Sequence, residues 1–213
     1  MELKTEGIVL KRYDRSENDN TTSVFTKEAG KIFIISKGTR KPASRFKNSL
    51  ELFSFGDFML ARKNPDSRYF TLIQAKAQNS FAGIRKSLKK IAIAYYIIEL
   101  VEKFMQPEDA NAEVFCLVLN TLLSVENSGE AQAAEHCARF KVQLLRSAGF
   151  NPSDDADFLK ARCVEPDVRK VLKDMELGNC GCYSEALNNM LDSYITNVLE
   201  EEPESMKFYG SIK

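Results

Sequence analysis

Three groups of residues in the chain have the types that bond-making chemistry uses, and their spacing argues against each. A Ser-His-Asp or Cys-His arrangement would have to use the single histidine, His136. The neighbouring thiol of Cys137 cannot be its nucleophilic partner, because adjacent residues on a helix point about 100° apart. His136 reads as a polar residue on a helix flank. Asp154, Asp155 and Asp157 supply the hard oxygens a divalent cation wants, but they follow Asn151-Pro152-Ser153 and read as a loop that caps a short helix. Cys163, Cys180 and Cys182 invite zinc, yet a strong site shows two C-x-x-C knuckles around a tetrahedral ion, and here the tight pair is C-G-C. These three cysteines are weak candidates unless His136 or Cys137 adds a fourth ligand. The KGTRK stretch at residues 37–41 lacks the G-x-x-x-x-G-K-[ST] order that curls backbone N–H groups around phosphates. The inventory therefore predicts no enzyme and no cofactor.

What remains is charge. Residues 31–47 read KIFIISKGTRKPASRFK, in which an apolar strand empties into Lys37, Arg40, Lys41, Arg45 and Lys47 with no carboxylate among them. Lys11, Arg12 and Arg15 lie at the end of the first strand, where a barrel would bring both clusters to one rim. The chain is neutral overall, yet residues 1–80 hold 15 Lys and Arg against 9 Asp and Glu, while the remaining 133 hold 15 against 21. That partition predicts that one half faces a polyanion and the other does not. A run of like charge is ordinarily a solvated loop. Here Phe46 stands between Arg45 and Lys47, which combines phosphate neutralisation with a surface for base stacking. The strand aromatics Phe33, Phe53, Phe55, Phe58, Tyr69 and Phe70 are assigned to the barrel core.

These residues need elements to hold them. Residues 5–13, 21–26, 31–36, 50–62 and 68–78 are rich in β-branched and aromatic residues and are separated by turn chemistry in SENDN, KEAG and KNPD, which predicts five strands. Gly56, inside the longest, marks a bulge or a sharp bend. Five short strands in so few residues suit a small closed barrel, with an OB-type barrel leading and an SH3-like barrel as the alternative. After Ser80 the apolar period changes to 3.6. Phe81 through Val101 form a first stripe, Val114 through Leu122 a second, and Ala131 through Gly149 a third. Pro166 opens a fourth helix stopped by Gly178, and Ser184 caps the last. The fold class is α+β: a five-stranded barrel over residues 1–80, then an all-α domain over residues 81–213 with a reduced insert around residues 151–183. The short QNSFAG joint predicts halves that pack together.

The opening MELKTEGIVLKR carries charge throughout, and the longest apolar run, Ile91 to Ile98, is too short to cross a bilayer. No membrane is expected, and an odd number of cysteines fits a reducing cytoplasm.

The stretch from EGIVLKRY through VFTKEAGK and KGTRK to LELFSFGDFML resembles the N-terminal half of the RecO DNA repair proteins, with its E-G-I-V-L strand and K-G-x-R-(R/K) basic segment. The likeness continues through YYIIEL and ARFKVQLLRSAGFNP to the closing PESMKF. The resemblance implies an OB-fold followed by a helical domain. It also implies a recombination mediator that binds single- and double-stranded DNA, anneals complementary strands and, with RecR, assists RecA loading onto DNA covered by single-stranded-DNA-binding protein. Association with the nucleoid would follow. The family's basic segment falls on Lys37, Gly38, Arg40 and Lys41, and the DNA-binding set is expected to be Lys11, Arg12, Lys37, Arg40, Lys41, Arg45, Phe46 and Lys47. Arg139 falls where the family presents a cation to the acidic tail of single-stranded-DNA-binding protein, and Arg146 and Lys89 are further partner-binding candidates. Many relatives carry a four-cysteine zinc module that this shortened stretch lacks. The rival reading is a protein-only adaptor whose barrel and bundle join partner proteins without DNA.

Overall fold

The computed structural model describes residues 2–14, 20–36, 48–162, 164, 166–177 and 184–211. Strands β1 (Glu2–Asp14), β2 (Asn20–Thr26), β3 (Gly30–Ser36), β4 (Phe55–Ala61) and β5 (Tyr69–Asn79) pair in the closed order β1-β2-β3-β5-β4. All neighbours are antiparallel except β3 and β5. Closure rests on β1, the longest strand, whose first half pairs with β4 and whose second half pairs with β2, the two sets meeting at Gly7 and Ile8. Gly7 stands opposite Gly56 of β4. At Gly56 a Cβ would come within 2.4 Å of the Lys76 carbonyl oxygen on β5, and the β4–β5 register shifts beside it, so the absent side chain allows the bend. This is the five-stranded OB-type architecture.

Alternation along the strands decides what fills the barrel. Val9, Val24, Ile32, Ile34, Phe58, Leu60, Phe70 and Leu72 gather inside it. Ile8, Leu10 and Phe25 point the other way and join Phe53 and Phe55 in a second cluster that includes the helices. The rings of Phe25 and Phe55 lie 6.1 and 6.3 Å from that of Phe115, and Phe53 lies 5.7 Å from Tyr95. This second cluster joins the outer face of the barrel to the bundle, as the absence of a flexible joint required.

Among the described residues the helices are α1 (Leu88–Phe104), α2 (Ala112–Asn127), α3 (Glu130–Ser147), α4 (Ala156–Ala161), α5 (Pro166–Glu176), α6 (Glu185–Leu199) and α7 (Glu204–Ser211). Ser87, Asn111, Asp155 and Ser184 cap α1, α2, α4 and α6 by accepting from Lys90, Val114, Phe158 and Leu187 N–H groups. The first helix therefore begins at Leu88 and not at Phe81. Phe81 lies in a turn at φ 50°, a short 3-10 turn covers Ile84–Lys86, and Leu88 is 57 % exposed and outside the stripe. The fourth strand is likewise shorter than its pattern, because Phe53 at φ 55° breaks the extended backbone before it. A buried polar network ties the bundle: Lys141 of α3, 1 % exposed, meets Asp192 of α6 at 2.5 Å, and Tyr96 of α1 donates to the same carboxylate at 2.8 Å. No helix among the described residues is long and apolar enough to cross a membrane.

Candidate nucleic-acid interface

The far end of the barrel is where β1 stops at Asp14, opposite Asn20 of β2, itself opposite Ser36 of β3. The chain leaves both β1 and β3 from this end. Lys11 and Arg12 sit two or three residues before it, paired with Ser23 and Thr22, and both are exposed. The Lys11 ammonium lies 5.3 Å from the centre of the Tyr13 ring. Arg12 approaches Glu51 at 3.9 Å, an exposed ion pair that a phosphate can replace at little cost. The rest of the expected DNA-binding set, Lys37, Arg40, Lys41, Arg45, Phe46 and Lys47, lies outside the described residues, as do Gly38 and Arg15.

Next to this end, at the seam between barrel and helices, a cleft of about 550 Å³ is lined by Tyr13, Thr21, Lys31, Phe33, Arg68 and Tyr69, with Glu102 and Pro107 on its helical side. Phe33 is outside the barrel and not in its core. In KIFIIS the residues Lys31 and Phe33 share one face of β3, while Ile32 and Ile34 fill the interior. A phenylalanine that shares a strand face with a lysine faces outward, and that alternation was the available signal. Phe33 pairs with Tyr69 of β5 across the parallel register, and their rings meet edge to face at 6.4 Å. Tyr13 lies 6.5 Å from Phe33 on the other side, and the Arg68 guanidinium stacks 4.3 Å from the Phe33 ring. Arg68, in the connection between β4 and β5, lies far in sequence from the two basic clusters at the ends of β1 and β3, so no charge run pointed to it. Of the other strand aromatics, Phe58 and Phe70 fill the barrel core as expected; Phe53 and Phe55 are buried instead against the helices, and Tyr69 is 38 % exposed on the outer face.

Electrostatically the cleft floor is a closed set. The Glu102 carboxylate accepts from the Tyr13 hydroxyl at 3.0 Å and the Ser23 hydroxyl at 2.6 Å, and lies 4.0 Å from the Lys31 ammonium, which also donates to the Glu102 backbone carbonyl. Burial, with the nearby Glu102 charge adding to it, raises the Tyr13 pKa, so its hydroxyl stays a donor. Burial lowers the Lys31 pKa, against the opposing pull of Glu102. The arrangement offers aromatic faces and cations around a satisfied ion pair, and no nucleophile with a base beside it.

The partner-binding candidates are spread along α3. Lys89 is 4.0 Å from Glu130 at the start of that helix, and Arg146 near its end donates to the Glu176 backbone carbonyl of α5. The helix between Glu130 and Arg146 is roughly 24 Å long, so these two do not form one pocket. Arg139 lies between them, bound to Glu135 at 2.6 Å, and lines a groove of about 330 Å³ between α2 and α3 with His136, Phe140 and Thr121. Around the start of the first helix, Arg85 donates to the Ser80 and Leu52 carbonyls and Lys90 to that of Glu126, so both staple the fold.

Cys163, Cys180 and Cys182 lie outside the described residues, and Cys137, which would complete a set, is buried in the bundle core near Lys141 and Asp192. No group of three or more His, Cys, Asp or Glu gathers among the described residues.

Comparison with known proteins assigns the ancestry. Residues 1–81 match the family model described as recombination protein O N terminal, and residues 85–193 match recombination protein O C terminal. A "DNA repair protein RecO" of Syntrophus aciditrophicus is 33 % identical over 184 residues, covering 85 % of this chain and 70 % of that protein. Relatives of the same description from Dehalococcoides mccartyi and Halalkalibacterium halodurans are 33 % and 29 % identical, covering 71 % and 77 % of this chain and 58 % and 70 % of their own lengths. Matched in both its strand-rich and its helical half, the chain belongs to the RecO family of DNA repair proteins.

Proposed function

We propose that this chain is a recombination mediator that holds single- and double-stranded DNA by its phosphates and anneals complementary strands. Residues 1–80 form the DNA-binding unit and residues 81–213 the partner-binding unit. Two strands repel until cations screen them. Lys11, Arg12, Lys37, Arg40, Lys41, Arg45 and Lys47, with Phe46 among them, supply that screening through contacts that leave base edges free to find complements. No bond is made or broken, so no catalytic residue or cofactor is invoked. The family further supports RecR as a partner, RecA loading as the outcome and the acidic tail of single-stranded-DNA-binding protein as a ligand of the helical half, with Arg139 in the α2–α3 groove as the nearest cation and Arg146 and Lys89 flanking it. A cytoplasmic, nucleoid-associated location follows from that role.

The observation that carries this reading is the surplus of positive charge on residues 1–80 in a chain whose total is zero, combined with membership of a DNA repair family. Annealing of complementary strands, with and without single-stranded-DNA-binding protein, tests it. The mediator accelerates annealing in both cases, whereas a protein-only adaptor leaves it unchanged.

A further inference from the structure

We infer that the cleft between Tyr13, Phe33 and Tyr69 receives one unstacked nucleobase of a single strand, stacked against the aromatic and guanidinium faces there, so that the barrel distinguishes single strands from duplex by stacking and not by charge. This rests on the DNA-binding reading and adds to it a site for bases beside the site for phosphates.

Three observations carry it. The cleft, of about 550 Å³, is in the size range of pockets that enclose small aromatic ligands. Its walls are π surfaces brought together from β1, β3 and β5: Phe33 is 8 % exposed and backs the exposed Arg68 guanidinium stacked on it, and Tyr69 is 38 % exposed, so Tyr69 and Arg68 present the faces open to a base. Such walls are what sequence-tolerant single-strand binders present, because every base has a π face and arginine stacks on it as well. Third, the polar floor is neutral and internally bonded. Lys31 faces Glu102, whose two oxygens already accept from Tyr13 and Ser23. Because Lys31 and Glu102 offset each other's charge and the Tyr13 and Ser23 hydroxyls are committed to Glu102, the floor adds little net charge, and stacking on the walls is the main interaction on offer. A duplex keeps its base faces covered by neighbours, and exposing one costs a few kcal/mol. The cleft therefore favours single strands.

The test is anisotropy of a labelled oligothymidine against an oligomer of the same length carrying abasic spacers, with the same phosphates, at one salt concentration. For the wild-type chain the base-bearing oligomer binds about 5- to 100-fold more tightly. Tyr69→Ala removes most of that difference and Tyr69→Phe keeps it, while affinity for a duplex of equal length changes less than twofold in either. Should Tyr69→Ala fail to fold by circular dichroism, Arg68→Ala, at an exposed turn, replaces it with the same expected loss. Equal binding of both oligomers by the wild-type chain overturns the base site and leaves phosphate binding standing. A base preference that survives both substitutions also overturns it. Failure to bind any of the three DNAs removes the DNA-binding reading and this inference with it.

Discussion

The Glu102 carboxylate, within the last turn of α1, lies 4.0 Å from the ammonium of Lys31 on β3, and both side chains are largely buried, at 13 % and 8 % exposed. The pair, with Tyr13 and Ser23 bonded to the same carboxylate, is where the helical half is tied to the outer face of the barrel. Removing one partner of a buried pair leaves an uncompensated charge. Glu102→Ala is therefore expected to cost about 3 kcal/mol in urea unfolding. Glu102→Gln with Lys31→Met, which removes both charges and keeps the volume, is expected to restore much of that loss. A double variant as unstable as Glu102→Ala would show that the charges do not act as a pair.

Gly30 and Gly149 both have positive φ, at 65° and 87°, but their surroundings differ. A Cβ on Gly30 would meet the Asp109 carbonyl oxygen at 2.1 Å, where the segment after α1 runs beside the β2–β3 turn; one on Gly149 would meet nothing within 4 Å. Gly149→Ala carries only the left-handed backbone penalty of about 1–2 kcal/mol. Gly30→Ala adds a collision with backbone and is expected to cost clearly more, measured as the difference in urea midpoint. Equal losses would contradict the close approach.

The barrel was legible because its strands carry β-branched and aromatic runs broken by turn residues, and the cap Ser184 falls where the helical period restarts. What the one-dimensional pattern could not show was the break at Phe53 or the turn at Phe81, because a positive φ at a phenylalanine is imposed by tertiary packing and not by local preference. Helix α7 escaped notice for the same kind of reason. Its start is held from outside by Glu99 of α1, which accepts from the Glu204 and Ser205 N–H groups at 2.9 and 2.8 Å. The aromatic cleft is assembled from three strands far apart in sequence, so Tyr13, Phe33, Arg68 and Tyr69 carry no common motif. The basic segment was the opposite case, plain in sequence as a run of cations and outside the described residues in structure.

Cys137 sets a pH dependence. Burial raises its thiol pKa from 9.0 to about 11, with Lys141 opposing and Asp192 adding to the rise. Between those values the unfolded thiol has lost its proton and the folded one has not, so the stabilisation present below pH 9 is lost as pH rises toward 11. Two pKa units correspond to roughly 3 kcal/mol. Tyr96 and Tyr194, both raised chiefly by burial, act in the same direction at higher pH. Unfolding free energy measured from pH 8.5 to 10 should fall less steeply in Cys137→Ala than in the wild-type chain, whatever the absolute cost of the substitution. Parallel slopes would place the thiol in contact with water.

Arg139 lines the α2–α3 groove, held to Glu135 by an i,i+4 pair on a partly exposed helix face. Such a pair contributes only about 0.3–0.5 kcal/mol, so Arg139→Ala should leave the fold intact. It is expected to weaken binding of the acidic tail peptide of single-stranded-DNA-binding protein several-fold in a calorimetric titration, with DNA affinity unchanged. A peptide affinity that does not move would exclude the groove.

The most direct measurement is the salt dependence of single-stranded DNA affinity. If about five phosphates are held by the basic segment with Lys11 and Arg12, the logarithm of the association constant falls against the logarithm of salt with a slope near −3.5. Replacing Arg40 and Lys41 by glutamate should lower affinity for every sequence alike and make that slope shallower. A flat salt response in the wild-type chain, or a loss confined to particular sequences in the variant, would contradict phosphate recognition by this end of the barrel.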